Sequence, residues 1–212
     1  MDVQHLGVMS YDTAMVLMNT LHQQRVDGQI ADTILILEHP AVITRGRKMQ
    51  DQPLIWQDKL TAMGVQIRNA DRGGELTYHG PGQIVVYFIL DLNRYAKGIA
   101  EFVKILELAL IDFLKERDVV ARIQSDHPGI WVEEKKIASL GLRVSGGITK
   151  HGIALNVRND LGVYQWFHPC GLQGDTMTTL QKCVTTPIAD ADYQQMQMDL
   201  AQTFVTFLKN LS

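Results

Sequence analysis

Apolar residues recur along the chain with the two periods that distinguish helices from strands. Helical spacing is clearest over residues 98–117, where it predicts an amphipathic helix, and shorter helical patterns lie near residues 10–25, 56–63 and 190–209. Continuous or alternating apolar runs predict strands at residues 33–37, 41–44, 65–68, 84–90, 119–122, 130–132, 137–144 and 148–157. The first run, TILIL, is almost wholly apolar, which is typical of a strand buried on both faces.

Short connections separate the strands predicted between residues 130 and 157. Strands that follow one another through a few residues form hairpins, and hairpin neighbours are antiparallel. We therefore expect an α/β (α+β) fold with a mixed, largely antiparallel sheet flanked by helices. Because no repeat or linker divides the sequence, residues 1–212 are predicted to form one domain, with Thr186-Pro187 as the place where a small C-terminal subdomain could begin.

The composition of the chain narrows the function classes. The 212 residues are 46% hydrophobic and 20% charged with a net charge of −3, which predicts an ordinary globular protein and does not favour nucleic-acid binding. The sequence has no apolar run of the length of a membrane span, and its first residues do not resemble a signal peptide. Cys170 and Cys183 fit neither a disulfide framework nor zinc-ligand spacing. We therefore expect a cytoplasmic protein with no metal site and no membrane or nucleic-acid partner.

The stretch DRGGELTYHGPGQ at residues 71–83 places polar side chains between glycines. A glycine-rich backbone bends sharply and lets a ligand come close, so Arg72 and His79 are candidates for converging on a ligand. The stretch matches neither the phosphate-binding loop of nucleotide hydrolases nor the dinucleotide-binding pattern. A solvated hairpin is the alternative interpretation.

Two further positions could carry acid–base or nucleophilic chemistry. Lys136 directly precedes an apolar strand, and burial there would lower the pKa of its ammonium group toward neutrality, whereas Lys135 is predicted to face solvent. Cys170 lies at a turn between Pro169 and Gly171, and it is a candidate nucleophile if a base can reach it. The alternatives are a solvated strand-end charge for the lysine and a packed side chain for the cysteine.

Four segments follow one another in a fixed order along the chain. They are RGGELTYHGPGQ at residues 72–83, KIASLGLRV at 136–144, HGIALNV at 151–157 and PCGL at 169–172, with LEHP at 37–40 and GIWV at 129–132 as supporting pieces. Together they resemble the octanoyltransferases of lipoate biosynthesis, over about residues 33–180. Two positions depart from the family pattern, since Ser145-Gly146 stands where a more basic pair is expected and Lys150 where an aromatic residue is frequent.

The resemblance implies a reaction, a fold and a set of partners. It implies transfer of an octanoyl group from octanoyl-acyl carrier protein to a lysine of a lipoyl domain, on the fold of the biotin and lipoate protein ligases and with no cofactor. The implied acceptors are the lipoyl domains of 2-oxoacid dehydrogenase complexes and the glycine cleavage H protein. By motif position, Cys170 would be the nucleophile and Lys136 the catalytic acid or base. The substrate-binding residues that the resemblance implies are Arg72, Gly73, Gly74, Glu75, Leu76, Thr77, Tyr78, His79, Ser139, Leu140, Gly141, Gly152, Ile153 and Ala154.

A thiol nucleophile suits this reaction, because exchange between a thiol and a thioester is nearly balanced and amide formation is then favourable without ATP. Acyl carriers are generally acidic, so a basic docking surface is expected, formed by Arg45, Arg47, Lys48 and Arg143. Cys183 lies in no such motif and has no candidate base, so it is expected to be structural. Two other functions stay open from the sequence: an ATP-dependent lipoate or biotin ligase, and a non-catalytic module that binds carriers or lipoyl domains.

Overall fold

Ten strands and five helices make up the regular structure of the computed structural model, which describes residues 1–49, 54, 56–124, 128–166 and 176–211. The strands are β1 (Asp2–Val8), β2 (Thr33–Glu38), β3 (Val42–Arg45), β4 (Gln66–Asn69), β5 (Leu76–His79), β6 (Gln83–Ile89), β7 (Arg122–Ile123), β8 (Ile130–Val132), β9 (Lys135–Ser145) and β10 (Ile148–Asn156). The helices are α1 (Tyr11–Val26), α2 (Gln57–Ala62), α3 (Ile99–Lys115), α4 (Leu180–Cys183) and α5 (Asp190–Lys209).

The strands form a large sheet and a small one. The large sheet has the order β1-β2-β6-β10-β9-β8-β7, and every neighbouring pair in it is antiparallel except β1 and β2. The small sheet has the order β4-β3-β5, with β3 and β4 parallel. This architecture confirms the prediction of a mixed, largely antiparallel sheet with helices. It also confirms the predicted hairpin between β9 and β10, which turns through Gly146 and Gly147, both at positive φ.

Helices cover both faces of the large sheet. On one face, the rings of Phe102 on α3 and Phe204 on α5 meet Phe88 of β6 edge to face, with centroids 6.3 and 5.0 Å apart. On the other face, α1 buries Ala14 and Met18 against the same strands, as the helical spacing predicted. Buried side chains of α5 pack in the same hydrophobic core as those of α3 and β6. Residues 1–212 are therefore proposed to form one domain. No helix within the described ranges is long and apolar enough to span a membrane.

Three local features differ from the sequence-based expectations. No element was predicted for β1, an edge strand whose side chains are mostly exposed, so its sequence lacks a buried apolar pattern. The strand predicted at residues 119–122 begins only at Arg122, because buried Val119 belongs to the turn that ends α3 and follows Asp118 at a φ of 59°. The polar loop expected before α5 contains α4, whose first turn is capped by the side chain of Thr179.

Candidate active site

Two of the predicted substrate-binding segments lie side by side on the β9–β10 hairpin. The register pairs Ser139 to Gly141 of β9 with Ala154 to Gly152 of β10, residue by residue. The hairpin packs so tightly on β6 that a Cβ atom at Gly152 would collide with the carbonyl oxygen of Val86. A side chain at this position would therefore push the hairpin away from the centre of the sheet.

The Arg72–Glu75 loop joins the small sheet to this hairpin. The N–H of Gly73 donates to the carbonyl of Leu142 on β9 at 3.1 Å. Arg72 is 7% exposed, and its guanidinium donates to the carbonyl and hydroxyl oxygens of Thr44 on β3 at 2.9 and 2.7 Å. Arg72 is thus held by Thr44 of the small sheet, and the carbonyl of Glu75 at the other end of the loop accepts from the N–H of Gly46 at 2.8 Å.

A cleft of about 650 Å³ opens between this loop, the hairpin and α3, which is within the range of small-molecule sites. Of the predicted residues, it is lined by Arg72 through Thr77, Lys136 and Ser139 through Gly141. A smaller inner pocket adds His79 and Gly152 through Ala154 to this set. Tyr78 lines neither space, because successive side chains of β5 point to opposite faces and its ring packs on Tyr164 instead, with centroids 5.9 Å apart.

Polar side chains form the floor of the inner pocket. Tyr11, Tyr87, His79 and His151 all line it, and all four are buried. Burial holds the pKa of the His79 imidazole well below its usual value and raises the pKa of the Tyr87 phenol well above its own. Both groups are therefore neutral near pH 7, and they offer hydrogen bonds without charge beside the guanidinium of Arg72, which lines the same pocket.

A chain of side-chain hydrogen bonds runs from His79 to Thr178, which lies just before α4. The His79 Nδ1 and the Gln83 Oε1 are 2.8 Å apart, and the Gln83 amide donates to the Asn156 Oδ1 at 2.9 Å. Asn156 in turn donates to the carbonyl of Thr178 at 3.1 Å. The histidine, glutamine and asparagine of the sequence motifs thus form one buried, mutually satisfied network.

Asp71 is the meeting point of three basic side chains. Its carboxylate lies 2.5 Å from the His151 Nε2, 2.6 Å from the Lys150 Nζ and 3.2 Å from the Arg143 guanidinium. The hydrogen bond from His151, followed by that from Lys150, holds the pKa of the Asp71 carboxyl below its usual range. Burial lowers the pKa of His151, so a neutral ring with its proton on Nε2 donates to an ionised Asp71.

Lys136 is buried in the cleft, as predicted, whereas Lys135 is exposed. The Nζ of Lys136 donates to the carbonyl of Pro128 at 2.6 Å, and the carbonyl of Lys136 accepts from the N–H of Thr178 at 3.0 Å. Met177 forms a parallel bridge with it. The backbone and the side chain of Lys136 are therefore both anchored.

Cys170 lies outside the described residues, as do residues 167–175 as a whole. Cys183 is described and is half-buried, with its sulfur 4.0 Å from the hydroxyl of Thr178. Burial raises the pKa of the Cys183 thiol, which disfavours the thiolate. This environment is in keeping with the structural role expected for Cys183.

Sequence reasoning missed several residues that line these spaces. Tyr11 on α1 and Glu107 on α3 lie far along the chain from the glycine-rich motifs, and Tyr87 lies within the apolar run of β6. Asp71 directly precedes the RGG motif, and His151 is the first residue of the HGIALNV motif. Their positions beside the motifs were the signal that could have identified them as site residues. In the described part of the chain, no cluster of three or more histidine, cysteine or carboxylate groups could hold a metal ion.

Comparison with known proteins places this site in a family. Residues 10–205 match the lipoyl protein ligase A/B catalytic domain. The chain is 41% identical over 185 residues to an octanoyltransferase of Caldicellulosiruptor saccharolyticus, covering 86% of this chain and 79% of that protein. It is 40% identical over 190 residues to an octanoyltransferase of Azotobacter vinelandii, covering 90% and 84%. A crystal structure of lipoate-protein ligase A bound with ATP aligns with a TM-score of 0.75 at 13% identity, covering 97% and 86%.

The match across most of the chain defines the class: an acyltransferase with the fold of the lipoate protein ligases, as the resemblance implied. Within that class, the two relatives at about 40% identity are both octanoyltransferases. The chain belongs to the lipoyl protein ligase A/B catalytic domain family and, within it, to the octanoyltransferases.

Proposed function

We propose that the chain takes its octanoyl group from octanoyl-acyl carrier protein and transfers it to a lysine of a lipoyl domain through a thioester on Cys170. One cleft brings together the Arg72–Thr77 stretch, the β9–β10 hairpin and Lys136, and this arrangement carries the proposal. The cleft has a volume of about 650 Å³ and is the proposed site of the acyl chain.

The proposed chemistry has two halves that balance. In the first, the Cys170 thiolate attacks the carrier thioester, the carbon–sulfur bond to the carrier breaks, and the carrier leaves as a thiol with a proton from Lys136. In the second, the acceptor amine attacks the enzyme thioester, Cys170 leaves as thiolate, and Lys136 takes a proton from the amine. Lys136 ends in its starting state, so one lysine serves both halves.

The attachment of the chain next to Lys136 supports this pairing of Lys136 with Cys170. Met177 and Thr178 follow residues 167–175 in the sequence, and both are bonded to the backbone of Lys136. Seven positions of sequence separate Met177 from Cys170. The part of the chain that follows Cys170 in sequence is therefore bonded, at Met177 and Thr178, to the strand that carries Lys136.

The proposed partners are acidic acyl carriers as donors, and as acceptors the lipoyl domains of 2-oxoacid dehydrogenase complexes and the glycine cleavage H protein. Of the four basic residues expected to dock a carrier, Arg47 and Lys48 are exposed, and Lys48 lines the cleft. The other two have partners inside the protein, since Arg143 pairs with Asp71 and Arg45 donates to Gln57 at 2.9 Å. Carrier docking is therefore proposed to depend chiefly on Arg47 and Lys48.

Intact-protein mass spectrometry tests the proposed route. The purified protein is mixed with octanoyl-acyl carrier protein without ATP, beside the Cys170→Ala, Lys136→Met and Cys183→Ser variants. The parent and Cys183→Ser are expected to gain one octanoyl group that a lipoyl domain then discharges, whereas Cys170→Ala is expected to gain none and Lys136→Met to react far more slowly. Transfer only after addition of ATP and free octanoate would instead establish a ligase, and binding without any transfer would establish a carrier-binding module.

A further inference from the structure

A single peptide group, between Pro128 and Gly129, lies between two charged side chains of opposite sign. Its carbonyl accepts from the Lys136 Nζ at 2.6 Å, and its N–H donates to the carboxylate of Glu107. In a trans peptide the C=O and N–H bonds point in opposite directions, and the described chain has no cis peptide bond. The lysine and the glutamate are therefore linked end to end through one amide.

Both charged groups are withdrawn from solvent. Lys136 is 5% exposed and Glu107 is 6% exposed, and both line the cleft. Glu107 occupies the buried face of α3, where Leu106 and Leu110 are fully buried. A carboxylate on such a face is costly unless it is hydrogen-bonded and near a positive charge. The Gly129 N–H provides the hydrogen bond, and Lys136 contributes to the nearby positive charge.

Gly129 is shaped for this arrangement. Its φ is 138°, a conformation that residues with side chains rarely adopt. A Cβ atom there would collide with Cε of Lys136 and would also press on the carbonyl oxygen of Ala138. The glycine therefore leaves the space through which the lysine side chain passes on its way to the Pro128 carbonyl.

We propose that Glu107 is a positioning residue for Lys136. Glu107 polarises the Pro128–Gly129 peptide and so holds the ammonium group of Lys136 in the cleft. The inference rests on the proposed role of Lys136 in octanoyl transfer. Glu107 does not touch the reacting atoms in this scheme. It acts through the peptide group alone.

The physical basis is cooperative hydrogen bonding. A peptide N–H that donates to a carboxylate makes the carbonyl of the same peptide a stronger acceptor, and an ammonium group gains most from this. The negative charge of Glu107 also favours the charged form of Lys136 through space, and burial raises the pKa of the Glu107 carboxyl while Gly129 and Lys136 oppose that rise. Among the residues that the structure describes, the other charged groups around the pair are Lys104 on α3 and, along the cleft, Lys48, Arg72 and Glu75.

The test is the pH dependence of acyl-enzyme formation in Glu107→Gln. The amide oxygen can still accept from Gly129, but the charge is gone, so the alkaline limb of the profile is expected to move to lower pH by on the order of one unit. At pH values above that limb, acyl-enzyme formation by Glu107→Gln is expected to be about tenfold slower than by the parent protein, with KM for the carrier unchanged. Glu107→Asp retains the charge and is expected to restore most of the shift. Asp112→Asn removes an exposed carboxylate from the same helix and is expected to leave the profile in place.

Two outcomes separate this inference from the proposed function. If Lys136→Met retains full activity, the proposed role of Lys136 fails. If Lys136→Met is impaired but the profile of Glu107→Gln coincides with that of the parent, only the role of Glu107 is overturned. Should Glu107→Gln fail to fold, nitrogen-15 NMR of the parent protein decides: a Lys136 ammonium signal that exchanges slowly with water at pH 8 is expected, and a rapidly exchanging one overturns the inference.

Discussion

Asp71 and His151 join the Arg72–Glu75 loop to the large sheet through a 2.5 Å hydrogen bond between Oδ1 and Nε2. The two residues stand at the openings of two motifs that lie 80 positions apart in the chain. His151 adopts a φ of 61°, which few residues with side chains do, and its own N–H contacts the sulfur of Met18. The pair fixes where the RGG loop sits on the hairpin.

Replacing Asp71 by Asn is expected to lower both stability and activity. The change leaves Lys150, whose side chain is 10% exposed, without its ionic partner. Because the Asp71 side chain is itself 35% exposed, solvent screening reduces the loss, and we expect about 1–3 kcal/mol in the free energy of unfolding by urea. KM for the octanoyl donor is expected to rise as the loop loosens.

Asp12→Asn is the matched control for that experiment. It removes an ion pair with Arg68 that is 60% exposed on the aspartate side. Exposed pairs contribute little, so its unfolding free energy should stay within about 0.5 kcal/mol of the parent. Equal losses in the two variants would contradict a special role for Asp71.

The buried histidines predict a loss of stability in mild acid. Burial lowers the pKa of His39, His79 and His151 in the folded protein relative to the unfolded value of about 6.5. The unfolded chain therefore binds more protons as the pH falls, so their contribution is complete above about pH 6.5 and is lost as the pH drops from there through the folded pKa values. Each such histidine adds at most about 1.4 kcal/mol per pH unit to the slope.

Urea unfolding measured between pH 8 and pH 5 checks this slope. His79→Gln removes one buried titrating ring and is expected to reduce the slope by up to about 1.4 kcal/mol per pH unit. A parent protein whose unfolding free energy is constant from pH 7.5 to pH 5.5 would show that these rings take up protons in the folded state as readily as in the unfolded chain.

Reversal of one charge at the cleft mouth tests carrier docking. Lys48→Glu is expected to raise KM for octanoyl-acyl carrier protein several-fold at low salt and much less at high salt, with kcat unchanged, because exposed charges are screened. Lys115→Glu makes the same charge change at the end of α3, away from the cleft lining, and should behave like the parent. Identical salt dependence in the two variants would remove Lys48 from the docking surface.

A side chain at Gly141 is expected to disturb the proposed acyl site locally. A Cβ atom there would lie 3.0 Å from Cδ of Arg72, so Gly141→Ala must displace the arginine or the hairpin. We expect a rise of about tenfold in KM for the octanoyl donor and a stability loss of about 1 kcal/mol, measured by steady-state kinetics and urea unfolding. Ser145→Ala at the exposed end of the same strand is the control.

The strands that bury most of their side chains were the clearest elements in the sequence. The strands β2, β6 and β10 are buried along almost their whole length, so their apolar runs were clear. Strand β1 pairs with β2 through backbone hydrogen bonds while exposing most of its side chains, so it left little hydrophobic pattern. Backbone pairing does not depend on side-chain type, and sequence patterns do not record it.

The same division holds for the candidate site. Glycines and charged residues within one motif, such as Arg72 and Gly73, were recognisable together. The partners of Lys136 were not, since Glu107 looks like any charge on an amphipathic helix and Pro128 contributes only its carbonyl. Lys150, which stands where the family frequently has an aromatic residue, also has a local role in the structure. Its ammonium group pairs with Asp71 and donates to Asn19 at 3.0 Å.

The Pro128–Gly129 amide has a consequence for how this protein can be dissected. A backbone group is invisible to any survey that exchanges side chains one at a time, so such a survey would record Glu107 and Lys136 as two unrelated positions. Replacing the Gly129 residue by glycolic acid would turn the amide into an ester, which removes the N–H and weakens the carbonyl as an acceptor. One exchanged backbone atom would then separate the two charges while leaving every side chain in the protein unchanged.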